Sequence, residues 1–343
     1  MAGTWLMGAA TLAIAAGTAH AQDKGTVYYL IPTLLDEFQT ESKKAFEHMF
    51  GSLGYEVVSV DADNRSDRQL SQLEDAIATS PAAIVLAAVD FDAIVPGVEA
   101  ARAAGIPVLN FDRQIRTTEF SLTSVAGTVE MGYLAAGEVV RLLEERNGSA
   151  SGKVLQVLGD PGDNYTLDIQ AGFEEVMAGY PDVEIVTKAT LMWEPANAAD
   201  IIEDQLLVNP DIDVIFGHAA HLCSAMIAVM EGAGKAPGDI AMLCSNGAPE
   251  GLKNIRNGWQ QAEVEQPLYA QMYGLAMFAD MIIGGQTPAE GTYDVLGLES
   301  TITHEAWGPN LKIPGAVITA DNVDGPAFWG NLNMPTDPVT PVQ

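Results

Sequence analysis

The chain has 343 residues, and its 46 acidic residues outweigh its 16 lysines and arginines to give a formal net charge of −30 at pH 7. Nucleic acids and anionic membranes carry the same sign of charge, so neither is expected as a partner. The two cysteines, Cys223 and Cys244, stand in no metal-ligand spacing, and neither a metal nor another cofactor is expected.

The first 21 residues have the pattern of a secretory signal peptide. They contain no charged residue, include an apolar stretch from Trp5 to Ala16, and end in Ala19-His20-Ala21. The apolar stretch is too short to span a membrane. We therefore predict export to the periplasm and cleavage before Gln22, the alternative being a mobile or buried N-terminal segment. Removal of 21 residues leaves 322, which suits two hydrophobic cores better than one.

Apolar segments alternate with helical patterns from Gly25 onward. The strand-like segments of the first half read TVYYLI, YEVVSVDA, AAIVLAA and IPVLNF, and helical patterns near 40–52, 68–79 and 92–104 separate them. Continuous apolar runs are typical of parallel strands that helices cover on both faces. The alternation predicts βαβ units.

A second series of the same kind begins after the Gly/Ser-rich break SASG, at 149–152. Its strand-like segments read GKVLQVLG, VEIVTKAT, DVIFGH and IAMLCS, with helices predicted near 166–179, 198–208 and up to 232. The fold class is therefore α/β, with two Rossmann-like doubly wound lobes in succession. Doubly wound sheets bind ligands outside the carboxyl ends of their strands, so two facing lobes would share one cleft.

Polar and aromatic side chains follow the predicted strands. The candidates for ligand binding are Asp36, Phe38, Asp112, Arg113, Asn164, Trp193, His218, Asn246 and Gln266. Carboxylates, amides and a guanidinium match the donors and acceptors of sugar hydroxyls, and aromatic faces match the apolar face of a sugar ring. No catalytic residue is predicted.

Each candidate also has a purely structural interpretation. An adjacent Asp-Arg pair is usually a strand-end ion pair, and a tryptophan or phenylalanine after a strand is usually part of the core. Asn164 and Asn246 can be turn residues, and His218 can be a structural histidine. The loop GDPGDN, which also offers Asp163, lacks a lysine and is a weak phosphate signal. The recurrence of polar groups at successive strand ends favours a binding cleft.

Long segments of the chain resemble the ribose-binding group of periplasmic sugar-binding proteins of ABC transporters. The resemblance lies in IPTLLDEFQTESKKAFE, AIVLAAVDFDAIVPGVEAARAAGIPVLNFDR, GKVLQVLGDPGDN, NPDIDVIFGH, GAPEGLKNIRNGWQQAEVEQP and ITADNVD. It implies the type I periplasmic binding protein fold. It also implies that Phe38 and Trp193 sandwich a sugar ring, that Asp112 and Arg113 bind its hydroxyls, and that Asp36 and Gln266 contribute from the same cleft.

The resemblance further implies a hinge of three chain segments. The N-terminal lobe is expected to take 22–125 and 267–305, and the C-terminal lobe 126–266 and 306–325. Residues 326–343 are expected to form an extended tail, laid across the surface by Phe328 and Trp329. Rotation about the hinge would close the lobes on the ligand.

Departures from the group's pattern bear on the ligand. Leu167 stands where an arginine is usual, Ala87 and Ala219 stand where asparagines are common, and the usual Phe-Asp pair is replaced by Ser245-Asn246. Asp36 occupies a position that is often asparagine. A smaller, reduced or differently substituted sugar or polyol is therefore expected in place of ribose, with His218 as a candidate replacement donor.

Three functions follow from these observations. The first is a monomeric periplasmic binding protein that delivers a small neutral sugar or polyol to an ABC transporter permease. The second is a binding protein for a chemotaxis or sensor-kinase receptor. The third, an exported α/β hydrolase, lacks a Gly-x-Ser-x-Gly elbow, and Arg113 is expected to keep Asp112 ionised and unable to act as an acid. Cys223 and Cys244 can form a disulfide or remain buried thiols.

Overall fold

The structure, a computed structural model, describes residues 24–342, and the predicted signal peptide lies outside them. Helices and strands alternate through most of this range, as the apolar rhythm predicts. The elements are β1 (Thr26–Ile31), α1 (Glu37–Ser52), β2 (Glu56–Asp61), α2 (Ser66–Ala78), β3 (Ala83–Leu86), α3 (Val95–Ala103), β4 (Val108–Phe111), β5 (Leu122–Ala126), α4 (Thr128–Asn147), β6 (Gly152–Leu158), α5 (Asn164–Met177), β7 (Val183–Ala189), α6 (Pro195–Val208), β8 (Val214–Gly217), α7 (Ala220–Gly232), β9 (Ala241–Asn246), α8 (Pro249–Arg256), β10 (Ala262–Glu265), α9 (Leu268–Ile283), β11 (Gly291–Val295), β12 (Leu298–Glu305), β13 (Gly308–Ile313) and β14 (Val317–Thr319).

Two sheets organise the chain into two lobes. The first sheet has the strand order β11-β12-β13-β5-β4-β3-β1-β2, and the second has the order β14-β10-β9-β8-β6-β7. The pairs from β2 through β13 in the first sheet are parallel, and so are all pairs of the second sheet except β10–β14. The predicted fold class, two doubly wound α/β lobes, is confirmed.

Helices cover both faces of each sheet, which explains the continuous apolar runs. In the first lobe, residues of α1 and α9 pack in one core cluster, and residues of α2 and α3 pack in another. In the second lobe, α4 and α5 share one cluster, and α6 and α7 share the other. The crossing of α4 and α5 depends on glycine, because a Cβ added to Gly172 would lie 2.1 Å from the Val129 carbonyl oxygen.

The chain passes between the lobes three times. It leaves the first sheet after β5, returns after β10 through α9, and leaves again after β13 to place β14 beside β10. The last passage differs from the expected boundary at 305/306. Because β13 pairs in parallel with β5, with Leu311 opposite Ser124, residues 308–313 belong to the first lobe.

The two cysteines form a disulfide between α7 and β9, with their Cα atoms 6.5 Å apart. This decides between the two alternatives that the sequence left open. The disulfide packs against Gly217, the last residue of β8. A Cβ added to Gly217 would be 2.4 Å from the Cys223 sulfur. Across residues 24–342, no helix combines the length and the apolar character that a membrane span requires.

Candidate functional site

The carboxyl ends of strands from both sheets meet around one cavity between the lobes. Its lining consists of Asp36, Glu37, Phe38, Gln39, Asp112, Arg113, Asp163, Tyr165, Trp193, His218, Ala219, His221, Asn246, Ala248, Glu250 and Gln266. Eight of the nine predicted ligand-binding residues are in this lining, and Asn164 is the exception. The doubly wound sheets account for the convergence, because each of these residues ends a strand, follows one or lies in the first turn of the next helix.

A chain of hydrogen bonds connects the two lobes through the hinge. The Asn246 side-chain nitrogen donates to the Gln266 Oε1 at 3.1 Å, and the Gln266 Nε2 donates to the Asp112 carboxylate. Asn246 ends β9 in the second lobe, Gln266 follows β10 where the chain returns to the first lobe, and Asp112 follows β4 in the first lobe. Three predicted residues therefore form one polar network.

Asp112 and Arg113 occupy a sharp, fully buried turn after β4. Asp112 has a φ of +66°, and its backbone N–H donates to the Ser124 carbonyl at 3.0 Å. The Arg113 Nη1 donates to the Ala88 carbonyl at 3.0 Å, and its Nε lies 3.2 Å from the Asp163 Oδ2 in the opposite lobe. The guanidinium is therefore bonded to its own lobe and to the other one.

The charge on Asp112 differs from the sequence-based expectation. Burial, followed by the nearby Asp163 carboxylate, raises the pKa of Asp112 to about 8, although Arg113 and Gln266 act in the opposite direction. Arg113 was expected to keep Asp112 ionised. Its effect on the pKa of Asp112 is smaller than that of burial, because the guanidinium forms its ion pair with Asp163 instead. Asp112 can therefore hold a proton near neutral pH and can both donate to and accept from a ligand hydroxyl.

The aromatic candidates come from opposite sides of the cavity. Asp36 is the N-cap of α1, accepting from the Gln39 N–H at 2.8 Å, and this cap sets Phe38 in the first turn. The Phe38 ring stacks on Phe111 with centroids 6.1 Å apart. Asp36 thus has a structural task as well as a place in the cavity lining.

Trp193 reaches the cavity from the second lobe through a strained turn. Met192 and Trp193 have φ values of +56° and +57°, and the Trp193 carbonyl lies 3.0 Å from the His221 Nε2. The indole ring lies against Gly159, since a Cβ added there would be 2.0 Å from its Cη2. The glycine at the end of β6 is therefore what makes room for this ring.

His218 is fully buried and neutral. Burial lowers its pKa to about 3. Its Nε2 lies 3.3 Å from the Gln156 Nε2, which can only donate, so the ring proton belongs on Nδ1. The His218 Nδ1 has no hydrogen-bond partner among the described residues, and His218 lines the cavity. It can serve as a hydrogen-bond donor to a ligand.

Asn164 has a different environment from the other candidates. Its Nδ2 donates to the Gln114 carbonyl at 2.7 Å, which ties the start of α5 to the first lobe. It is absent from the cavity lining given above. A direct contact between Asn164 and a ligand therefore stays a prediction, and the contact seen here is one between lobes.

Six polar lining residues were not among the nine sequence-based candidates, and they are Glu37, Gln39, Asp163, Tyr165, His221 and Glu250. Asp163 is the N-cap of α5, and Tyr165 follows in the first turn, with its hydroxyl beside the Ser245 side chain. His221 and Glu250 begin α7 and α8. From the sequence, polar residues after strand ends were expected to face the cleft. Had this expectation included the first turn of each following helix, it would have identified these residues as well.

The geometry suits recognition of a small uncharged molecule rich in hydroxyl groups. Amide, carboxyl, guanidinium, imidazole and phenol groups surround the cavity, and two aromatic residues flank it. Within residues 24–342, no cluster of three or more His, Cys, Asp or Glu residues has a geometry that could hold a metal ion. The arrangement can bind and orient hydroxyl groups through direct hydrogen bonds.

Comparison with known proteins places this chain among binding proteins. Residues 27–287 match the family model described as the periplasmic binding protein domain. The ribose import binding protein of Bacillus subtilis is 27% identical over 241 residues, which cover 70% of this chain and 76% of the relative. The D-apiose import binding protein of Actinobacillus succinogenes is 24% identical over 274 residues, covering 79% of this chain and 86% of the relative.

A solved structure has the same fold over nearly the full length. The carbohydrate transporter solute binding protein from Agrobacterium radiobacter, in complex with D-arabinose, superposes with a TM-score of 0.77 at 18% identity. The superposition covers 92% of this chain and all of that one. At this identity the likeness establishes the fold.

Proposed function

We infer the function of this chain from one premise: it belongs to the periplasmic binding protein family, whose model matches residues 27–287. We propose that it captures a small neutral sugar or polyol in the cleft between its lobes and delivers it to the permease of an ABC transporter. Similar relatives include import binding proteins for ribose and D-apiose, and the family binds solutes without transforming them. The periplasm is the compartment that this role requires.

One observation carries the proposal. Side chains of both lobes contribute to a single polar cavity, and the network Asn246–Gln266–Asp112 joins them there. A ligand in this cavity would bond to both lobes at once. Its binding would therefore depend on how the lobes are oriented, which is what a transporter needs in order to distinguish loaded protein from empty protein.

The proposed roles follow from the chemistry of each group. Asp112 and Arg113 bind ligand hydroxyls as acceptor and donor, and Gln266 and Asn246 do so from the hinge side. Phe38 and Trp193 supply aromatic faces for apolar ring carbons. The unpartnered Nδ1 of His218 fills a hydrogen-bonding need that other members of the group meet with asparagine or arginine, and the Tyr165 hydroxyl adds a group that can donate or accept.

Opening and closing of the lobes would control access. The cavity measures about 40 Å³, which is room for about three water molecules. A sugar ring could enter only after the lobes separate, and it would hold them slightly further apart than they are here. The contacts Arg113–Asp163 and Asn164–Gln114 cross the cleft directly and would break on opening.

Calorimetric titration with D-ribose, D-apiose, D-arabinose, xylitol, myo-inositol and glycerol tests the proposal. We expect at least one of these compounds to bind with micromolar or tighter affinity. Binding weaker than millimolar for the whole panel, together with turnover of a glycoside, would favour the hydrolase alternative. Co-purification from detergent-solubilised membranes would distinguish a permease partner from a receptor, and the elution volume on gel filtration would test the monomer.

A further inference from the structure

The C-terminal tail, defined here as residues 324–342, is fixed first to the second lobe. Arg256, at the end of α8, holds the Asp324 Oδ1 at 2.8 Å and the Asn331 Oδ1 at 2.8 Å. The Asn331 Nδ2 in turn donates to the Gly325 carbonyl at 2.8 Å. The short 3-10 turn Trp329–Asn331 between these contacts therefore has one orientation relative to α8.

Trp329 projects from this turn into the molecule. It is only 1% exposed. Its indole Nε1 donates to the Asn246 carbonyl at 2.7 Å, and its backbone N–H donates to the Glu265 Oε1 at 3.2 Å. The backbones approach closely here, because a Cβ on Gly330 would lie 2.2 Å from the Gly247 carbonyl oxygen.

The contact with Asn246 concerns the ligand cavity directly. Asn246 has a φ of +109°, a conformation that a residue with a side chain rarely adopts. Its side chain supplies the first donor of the network that continues to Gln266. The hydrogen bond from the Trp329 indole to the Asn246 carbonyl is one of the contacts that hold this conformation.

Trp329 also contacts the first lobe. Its ring meets the Phe38 ring edge to face, with centroids 5.6 Å apart and an interplanar angle of 84°. The Phe38 ring also stacks on Phe111. One tryptophan, attached to the second lobe, thus touches a cavity residue of each lobe.

Beyond Trp329 the tail crosses to the first lobe. Thr340 N–H donates to the Tyr273 hydroxyl at 3.1 Å, and Val342 N–H donates to the Met277 carbonyl at 2.8 Å, both on α9. Between these attachments, Asn333 and Pro335 border a cavity of about 470 Å³ that lies behind the hinge. The tail is therefore anchored to the second lobe at one end and to the first lobe at the other.

From these contacts we propose that Trp329 is a positioning residue for the ligand cleft. It fixes the Asn246 main chain and the Phe38 ring in the closed arrangement of the lobes, and the tail that carries it is a fourth connection between the lobes besides the three hinge segments. Loss of the indole frees Asn246 to leave its strained conformation and frees Phe38 to rotate. The effect on ligand affinity rests on the proposed function, and the effect on local order does not.

Hydrogen exchange of the unliganded protein tests the positioning without a ligand. W329A loses one hydrogen bond and one aromatic contact. We therefore expect the amide exchange rates of residues 36–40 and 245–248 to rise about tenfold or more. W329F keeps a ring against Phe38 and loses the indole donor, so the rise should be confined to 245–248. L332A is the matched control, since Leu332 lies in the same tail and is 49% exposed.

Titration of the same variants with the sugar and polyol panel gives the second readout. We expect W329A to bind the parent's best ligand at least about tenfold more weakly, W329F to recover part of the loss, and L332A to match the parent. The proposal is wrong if amide exchange in W329A equals that of the parent at both segments, or if it rises uniformly across the protein. If W329A does not fold, the exchange pattern of W329F decides by the same criterion. If the exchange pattern appears and no compound binds even the parent, the positioning stands and the proposed function fails.

Discussion

The Arg113 Nε lies 3.2 Å from the Asp163 Oδ2, and this contact joins the end of β4 in one lobe to the N-cap of α5 in the other. Both side chains are nearly inaccessible to solvent, with 8% and 2% of their surfaces exposed. Removing one partner of a buried ion pair leaves the other charge without compensation, which costs about 3–5 kcal/mol. Here that cost applies to the closed arrangement, because separation of the lobes returns Asp163 to water.

R113A should therefore lose ligand affinity by about 100-fold or more while unfolding at nearly the parent temperature. Calorimetric titration and a thermal unfolding scan measure the two effects separately. R102A is the matched control, because Arg102 forms an ion pair with Glu119 on the exposed surface, 40% and 60% accessible. An R113A protein that binds within a few-fold of the parent would contradict the role given to this residue.

The raised pKa of Asp112 predicts a pH-dependent stability. The pKa is about 8 in the fold and about 3.9 in an unfolded chain. The native state therefore binds more protons than the unfolded state between these values, and the free energy of unfolding falls as the pH rises through that window. Urea unfolding from about pH 5 to pH 8 measures the slope.

The variant D112N separates the contribution of Asp112 to the pH dependence of stability from contributions of other groups that act in the same direction. Burial also raises the pKa of Glu265 to about 7, so part of the slope will remain in the variant. The slope should be smaller in D112N than in the parent, because the amide cannot ionise. Equal slopes in the two proteins would mean that Asp112 ionises in the fold much as it does in water.

The disulfide predicts a loss of stability on reduction and little change in binding. It closes a loop of 21 residues, and a link of this length stabilises by about 3 kcal/mol in the chain-entropy model. The double variant C223A/C244A should thus lose about that amount in urea unfolding without reductant, and added reductant should not affect it further. If ligand affinity fell together with stability, the disulfide would instead be needed to position His218, which follows β8 next to it.

Much of the fold and of the site was predictable because strand ends obey a simple rule. The apolar runs gave the strands, and the polar residues after them, such as Asp112 and Gln266, do line one cavity. Contacts between the lobes were not predictable, because they depend on rotamers and lobe orientation. Asn164 follows the rule in sequence and yet donates to Gln114 outside the cavity lining.

Two features of the second half depend on tertiary contacts that the sequence did not reveal. The strand β13, GPNLKI, has no continuous apolar run, and it pairs because β5 presents a free edge beside it. Trp329 was expected to attach the tail to the surface, and the depth of its burial results from a pocket built by residues distant in sequence. Local pattern cannot reveal a partner that only the tertiary fold supplies.

Gly159 gives the most selective test of the aromatic side of the cleft. Its φ is outside the left-handed region, so alanine is compatible with the backbone, but the new Cβ would lie 2.0 Å from the Trp193 ring. G159A should displace the indole and weaken ligand binding about tenfold or more, in line with the loss of one aromatic contact and its packing. G137A is the control, because Gly137 lies within α4 with open space around its Cβ, and alanine there should stabilise by about 0.5–1 kcal/mol. Trp193 contacts the ligand only if G159A loses affinity while G137A keeps it; parent-like affinity in both variants would place the ligand away from this ring.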